Sequence, residues 1–285
     1  MRSASLTGEA LALLAALFSA LAGVAIGRAK PTARGDNGVF LSVLATLSLS
    51  LAIWAILGTT RLGDLTPWVV ALFALAGLCS VVLGRLTMYR ATERIGPISA
   101  SLLRRLTPIF AVPAAFLLLG EVPSGLALLG GGLILAGVAF YLGAPGPLGR
   151  VGLALGVASA AFYATAYSLR AAGLAVLPDA ALGTAIGALI GLVWFPLAAL
   201  WGAGLRSLVV DRGPWHLTAA AALTIGQVLQ FFALGHAPVA TVAVLGALDA
   251  LFAALLMRAF GTPVALGRLA LATTLAAIGT ALILA

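Results

Sequence analysis

Apolar runs of about 20 residues recur along the chain and constrain its fold more than any other feature. Three of them occupy residues 11–27, 39–57 and 151–169. A helix of about 20 apolar residues spans the ~30 Å hydrocarbon core of a bilayer. Charged residues make up 8% of the 285 residues, against about 25% in soluble domains, which is too few for a surface facing water. The sequence therefore predicts an all-α membrane protein.

Breaks between the apolar runs divide the chain into ten predicted membrane spans. Most breaks contain Gly or Pro, such as Pro31, Pro97 and Pro263. The first span follows a segment of mixed charge and precedes nine others, so we interpret it as a membrane helix and not as a cleaved signal peptide. The predicted spans are residues 9–27, 38–58, 67–89, 97–118, 123–142, 151–170, 180–200, 215–234, 238–260 and 264–284.

The two halves of the chain resemble each other. A shift of 142 residues places Gly84 on Gly226 and Phe110 on Phe252, with no gap between these matches. A repeat of five helices contains an odd number of membrane spans. The first copy therefore ends on the side of the membrane opposite to its start, and the second copy enters from that opposite side. We therefore predict two inverted five-helix repeats, residues 1–146 and 147–285, with a binding site between them.

Two segments carry the motifs of a known family. Residues 88–121 combine a Tyr-containing turn, a helix with small residues and Pro108, and a terminal Leu-Gly-Glu that ends at Glu121. A similar turn occupies residues 232–242. These segments resemble the EamA-type signature of the drug/metabolite transporter superfamily. The chain departs from it at residues 261–263, which lack the Glu, and at Arg104-Arg105, where the family usually has apolar or small residues.

The resemblance implies a secondary transporter that works as a multi-pass protein of the cell (inner) membrane. We expect an exporter that moves a small polar or amphipathic metabolite, such as an amino acid or other carboxylate, by alternating access. Two alternatives stay open: a transporter of phosphorylated or other strictly anionic metabolites, and a membrane protein that transports nothing. No catalytic motif occurs in the sequence, so we expect no enzyme activity and no cofactor.

Three charged residues lie deep in the predicted spans: Arg104 and Arg105 in the fourth, and Asp249 near the midplane of the ninth. Each such charge costs about 2.5–3.5 kcal/mol to insert, or about 8–10 kcal/mol together. One internal salt bridge leaves an arginine over, and arginine binds carboxylate or phosphate through two parallel hydrogen bonds. We therefore predict that these residues bind substrate. A purely structural salt bridge between the helices is the alternative, and proton coupling through Asp249 is also open.

Other polar residues share the inner faces of predicted spans. The third span carries Arg85 and Tyr89 at i, i+4 spacing. The eighth span carries Gln227 and Gln230 on the equivalent face. Hydrogen bonds that join helices are the alternative role for the glutamines. Two tyrosines lie one turn apart in the sixth span. The residues predicted to line the cavity are Arg85, Tyr89, Gln227, Gln230, Tyr163 and Tyr167.

The net charge of +8 is explained by basic loops that orient the helices and meet anionic lipid, so we expect membrane lipid and no nucleic acid as a partner. The positive-inside rule places the termini outside the cytoplasm, whereas the resemblance implies the reverse.

Cys79 is the single cysteine, which predicts no disulfide and no metal site. Arg170 lies near a predicted helix end and is expected to reach the interface. Glycines at 130–132 allow close helix contact within a monomer or in a homodimer.

Overall fold

Helices account for nearly all of the chain that the computed structural model describes, which is residues 2–58, 60–110, 113, 124–143, 149–201, 210–234, 236, 245–246, 248–283 and 285. No strand occurs among these residues, and six of their helical stretches are long and apolar enough to cross a membrane. The predicted all-α class is therefore confirmed. Glu121, the repeat boundary after residue 146 and the turn at 237–242 lie outside the described residues.

Most helices follow the predicted spans, with shifts at their ends. Thr66 begins one of them as an N-cap, because its hydroxyl accepts a hydrogen bond from the Val69 N–H at 3.4 Å, and Pro67 occupies the first helical position. The helices are α1 Arg2–Ala29, α2 Val39–Leu57, α3 Pro67–Gly77, α4 Arg85–Arg104, α5 Gly125–Leu142, α6 Arg150–Val176, α7 Ala180–Trp201, α8 Pro214–Leu234, α9 Asp249–Ala259 and α10 Leu266–Ile283.

The third and fourth predicted spans are joined in one long helical stretch. A π-helical segment, Leu78–Gly84, connects α3 to α4 and changes the direction in which the following side chains point. Within α4 the backbone leaves helical geometry at Gly96, where φ is 79°. Only glycine adopts this φ without strain, so Gly96 followed by Pro97 separates the two spans.

The fourth and ninth predicted spans are both interrupted. α4 ends at Arg104, and beyond it the Leu106 N–H bonds to the Leu103 carbonyl at 3.0 Å, a step of three residues. In the ninth span the Leu248 N–H bonds to the Leu245 carbonyl at 3.1 Å, and α9 begins at the next residue, Asp249. The prediction of unbroken helices at these points is wrong. Asp249 lies at a helix start and not in the middle of a helix.

Helices from the two parts of the chain pack in reciprocal pairs. α1 packs along α8, and α6 packs along α3 and α4, while α2 contacts α7 and α5 contacts α10. Glycines allow the closest approaches. A Cβ on Gly77 would lie 2.3 Å from the Gly187 Cα, and one on Gly130 would lie 2.4 Å from the Gly279 oxygen. Gly130 therefore serves a contact between helices of the same chain.

Candidate functional site

One carboxylate at the start of α9 binds two guanidinium groups. The Asp249 Oδ2 accepts a hydrogen bond from the Arg104 Nη2 at 2.8 Å. The Oδ1 accepts from the Arg105 Nη2 and from the Ser101 Oγ, the latter at 2.6 Å. Asp249 is only 2% exposed. The structure thus brings together the three deep charges that the sequence singled out, with one negative charge against two positive ones.

Arg105 also stabilises the interruption of the ninth span. Its Nη2 donates to the carbonyl oxygen of Gly246 at 2.7 Å. A break in a membrane helix leaves carbonyl groups without intrahelical partners, and lipid offers them none. In the fourth span the Thr107 hydroxyl donates to the Arg104 carbonyl at 2.7 Å and satisfies the equivalent need. Side chains at the two breaks therefore supply hydrogen bonds that a regular helix would have made.

Arg104 lies against a small cavity between α1, α4, α8 and α9. The cavity volume is about 20 Å³. That is room for about one water molecule, so a metabolite does not fit in the cavity as it stands. Arg105 is not among the lining residues. The polar and charged side chains that line the cavity are Ser19, Thr92, Ser101, Arg104 and Asp249.

Met88 connects the arginine to an aromatic pair on α6. The Met88 Sδ lies 3.3 Å from the Arg104 Nη1 and 3.9 Å from the Tyr163 hydroxyl. The Tyr163 and Tyr167 rings are 6.4 Å apart, and Tyr167 is 44% exposed. Neither tyrosine lines the cavity in this closed arrangement. Their contact with substrate stays a prediction.

Arg85 and Tyr89 lie in a separate buried cluster. Arg85 is 3% exposed, and its Nη1 donates to the Ser42 Oγ at 3.0 Å and to the Thr46 Oγ1 at 3.3 Å. Tyr89 is 1% exposed. Arg85 therefore faces away from lipid, as expected, but its described hydrogen-bond partners are hydroxyl groups of α2. Its positive charge is held without a carboxylate among those partners.

The remaining predicted residues have mixed outcomes. Gln227 and Gln230 are half-buried on α8 and do not line the cavity, so their role stays a prediction. The expectation for Arg170 is wrong: the side chain is 8% exposed, and its Nη2 donates to the Ser80 Oγ at 2.9 Å. The reason is that α6 continues to Val176, six residues beyond the predicted end, so Arg170 lies inside the helix and not at its end.

Ser101 and the Gly246 carbonyl belong to the charge cluster, and the sequence interpretation missed both. Ser101 precedes Arg104 and Arg105 by three and four residues, so it lies on their side of the helix, and this spacing could have identified it. The Gly246 carbonyl has no such signal, because a backbone group becomes a ligand only where the helix is interrupted.

Buried ionic groups between packed apolar helices define a polytopic helical membrane protein with a polar site inside it. Residues 6–143 match the sequence model of the EamA-like transporter family. The resemblance carried by the motifs of residues 88–121 is therefore confirmed for this part of the chain. The match suggests a membrane transporter of the drug/metabolite type, and the apolar helices indicate a multi-pass membrane protein.

A solved structure whose title reads only "Crystal structure of protein" has a similar fold. Its TM-score is 0.64 at 21% sequence identity, and the match covers 99% of this chain and 96% of the other. At this identity the likeness shows the fold alone. No curated protein matches the sequence significantly.

Proposed function

We propose that the chain is a ten-helix secondary transporter whose residues 1–146 and 147–285 are inverted repeats. The reciprocal packing supports this, because the first helix of each half contacts the third span of the other half. The two breaks support it as well. The bond from Leu106 to Leu103 and the bond from Leu248 to Leu245 are separated by 142 residues, the offset of the sequence repeat. Interrupted helices near the middle of the membrane form the binding sites of many transporters with this symmetry.

The substrate carries a carboxylate or a similar anionic group that binds Arg104. The observation that carries this proposal is the sharing of Asp249 between two arginines while only Arg104 of the pair lines the cavity. A substrate carboxylate reaching the cavity would compete with Asp249 for Arg104. Arg105 would stay bound to Asp249 and to the Gly246 carbonyl, so the carboxylate of Asp249 would keep a partner throughout.

An amino acid or other carboxylate fits the site better than a cation. Both oxygens of Asp249 already accept hydrogen bonds, from Arg104 on one side and from Arg105 and Ser101 on the other. An ammonium group would have to displace one of these donors and would add a third positive charge, whereas an anion competing with Asp249 for Arg104 would balance the surplus positive charge of the cluster. Phosphorylated metabolites are the second candidate, since arginine binds phosphate with the same geometry.

Transport would follow alternating access, with one half moving against the other around the site. The small cavity fits an arrangement in which the site does not admit substrate, because about 20 Å³ cannot hold a metabolite. Export across the cell (inner) membrane and proton coupling through Asp249 complete the proposal.

A ligand screen of the purified protein tests the substrate class. We expect carboxylates of metabolite size to raise the melting temperature, because a ligand at 100 times its Kd stabilises the folded state by about 2.7 kcal/mol. Amides or esters of the same compounds are the matched controls and should have no effect. Phosphate esters tested in parallel distinguish the second candidate. Equal stabilisation by acids and their amides would contradict a role for Arg104 as an anion-binding residue.

A further inference from the structure

A polar cluster joins loops from the two halves at one end of the molecule. The Asp211 carboxylate, 5% exposed and located just before α8, accepts three backbone hydrogen bonds from the connection between α1 and α2. The donors are the N–H groups of Arg34 at 2.9 Å, Gly35 at 3.1 Å and Asn37 at 3.0 Å. A carboxylate from the second half thus holds a loop from the first half.

Asn37 extends this cluster to the cavity wall. Its side chain is 2% exposed, and its Nδ2 donates to the Ile26 carbonyl at 3.2 Å and to the Glu93 Oε1 at 2.7 Å. Ile26 and Arg104 both line the cavity, and Glu93 directly follows Thr92, which also lines it. The Asn37 side chain therefore bonds to Ile26, a cavity-lining residue of α1, and to Glu93, the residue next to a cavity-lining residue of α4.

Lys30 and Arg28 make further contacts at the same end of the molecule. The Lys30 Nζ donates to the Glu93 carbonyl at 2.8 Å. The Arg28 guanidinium lies 4.2 Å from the centre of the Phe260 ring and 5.3 Å from that of Trp215, and its Nη2 donates to the Phe260 carbonyl at 3.1 Å. These contacts tie the end of α1 to α4, to the start of α8 and to the end of α9.

These bonds differ in kind from the contacts that hold the helices together elsewhere. At Gly77 and Gly187 the backbones touch, and separating them would leave a void. Hydrogen bonds to loop N–H groups at the molecular end can be exchanged for bonds to water, so their net cost of opening is small. The segments that the cluster joins are continuous with α1 and α8, and both helices line the cavity.

We propose that Asp211, Asn37 and Glu93 form a latch that closes one end of the substrate pathway, and that release of the latch opens the cavity at Arg104 to that side of the membrane. The latch rests on the transport function proposed above and adds the closing element to it. The loop between α1 and α2 and residues 210–213 are the parts that separate.

Thiol labelling at the cavity tests the latch. The reporter is Ser19→Cys, a near-isosteric change at a lining residue, in a Cys79→Ser background that removes the native cysteine. In detergent-purified protein we expect Asp211→Asn and Glu93→Gln each to speed labelling by a small polar thiol reagent about tenfold, because each variant weakens hydrogen bonds of the closed state only.

Asp64→Asn is the matched control at the opposite end, where the Asp64 carboxylate accepts from the Arg61 N–H at 2.8 Å. Its labelling rate should stay within about twofold of the parent rate, as expected for a bond outside the latch. Unchanged labelling in both Asp211→Asn and Glu93→Gln, with lowered melting temperatures, would show that the cluster only supports the fold and would overturn the latch. Equal acceleration in Asp64→Asn would overturn it too. No substrate is needed, so failure here leaves the anion-binding proposal to its own screen.

Discussion

Arg104→Gln is expected to weaken binding of the anionic substrate, and Arg105→Gln is expected to destabilise the fold. Arg104 faces the cavity, so its loss removes hydrogen bonds from a charged donor, worth about 1.5–3 kcal/mol. This corresponds to a loss of affinity of about 10-fold to 100-fold. Both changes remove one partner of the buried Asp249 carboxylate, but only Arg105→Gln also leaves the Gly246 carbonyl without its donor, so we expect it to cost about 1–3 kcal/mol more stability than Arg104→Gln.

Ligand affinity and the free energy of unfolding, measured on the same variants, separate the two roles. Arg104→Lys is the matched control, since it keeps the charge and loses the paired hydrogen bonds of the guanidinium. Its affinity should fall between those of the wild type and Arg104→Gln. If both Gln variants lose stability and neither loses affinity, the arginine pair only joins α4 to α9.

Asp249→Asn is expected to preserve or strengthen binding of the anionic substrate while it lowers stability by about 3–5 kcal/mol. In the wild type, the Asp249 carboxylate competes with the substrate for Arg104. Asparagine has no negative charge, so the variant lacks this competition. The same change leaves Arg105 without its charged partner, which accounts for the loss of stability. If Asp249 carries the coupling proton, the dependence of substrate flux on pH should also disappear.

Ser101→Ala serves as the control for Asp249→Asn. It removes the 2.6 Å hydrogen bond to the Asp249 Oδ1 and leaves every charge in place. We expect flux in this variant to keep its pH dependence. Loss of substrate binding in Asp249→Asn would contradict competition between the carboxylate and the substrate, and would instead assign Asp249 to direct recognition of a positive group.

The sequence singled out the three charges but not the shape of the helices that hold them. Apolar runs revealed the spans, and the expense of burying ions identified Arg104, Arg105 and Asp249 as predicted substrate-binding residues, with one salt bridge as the alternative. Residues 238–260 contain no proline after Pro238, and Gly246 alone does not indicate the break before Asp249, because glycine is frequent in membrane helices. That break depends on Arg105, which comes from a distant part of the chain and satisfies the Gly246 carbonyl.

The latch was beyond sequence reasoning for a similar reason. Asp211 and Asn37 look like ordinary loop residues, and only the packing of α1 along α8 brings them together. Arg85 shows a partial success. Its depth in an apolar run predicted that it would avoid lipid, but its hydroxyl partners Ser42 and Thr46 belong to another helix and could not be assigned.

Counterflow in proteoliposomes tests most directly whether the chain transports an anionic metabolite. Vesicles containing purified protein are preloaded with an unlabelled carboxylate from the ligand screen and diluted into a trace of the same compound in labelled form. We predict transient accumulation of label inside wild-type vesicles, and none in vesicles with Arg104→Gln or without protein. Binding in the screen with no accumulation in wild-type vesicles would contradict transport and favour a membrane protein that binds the metabolite without carrying it.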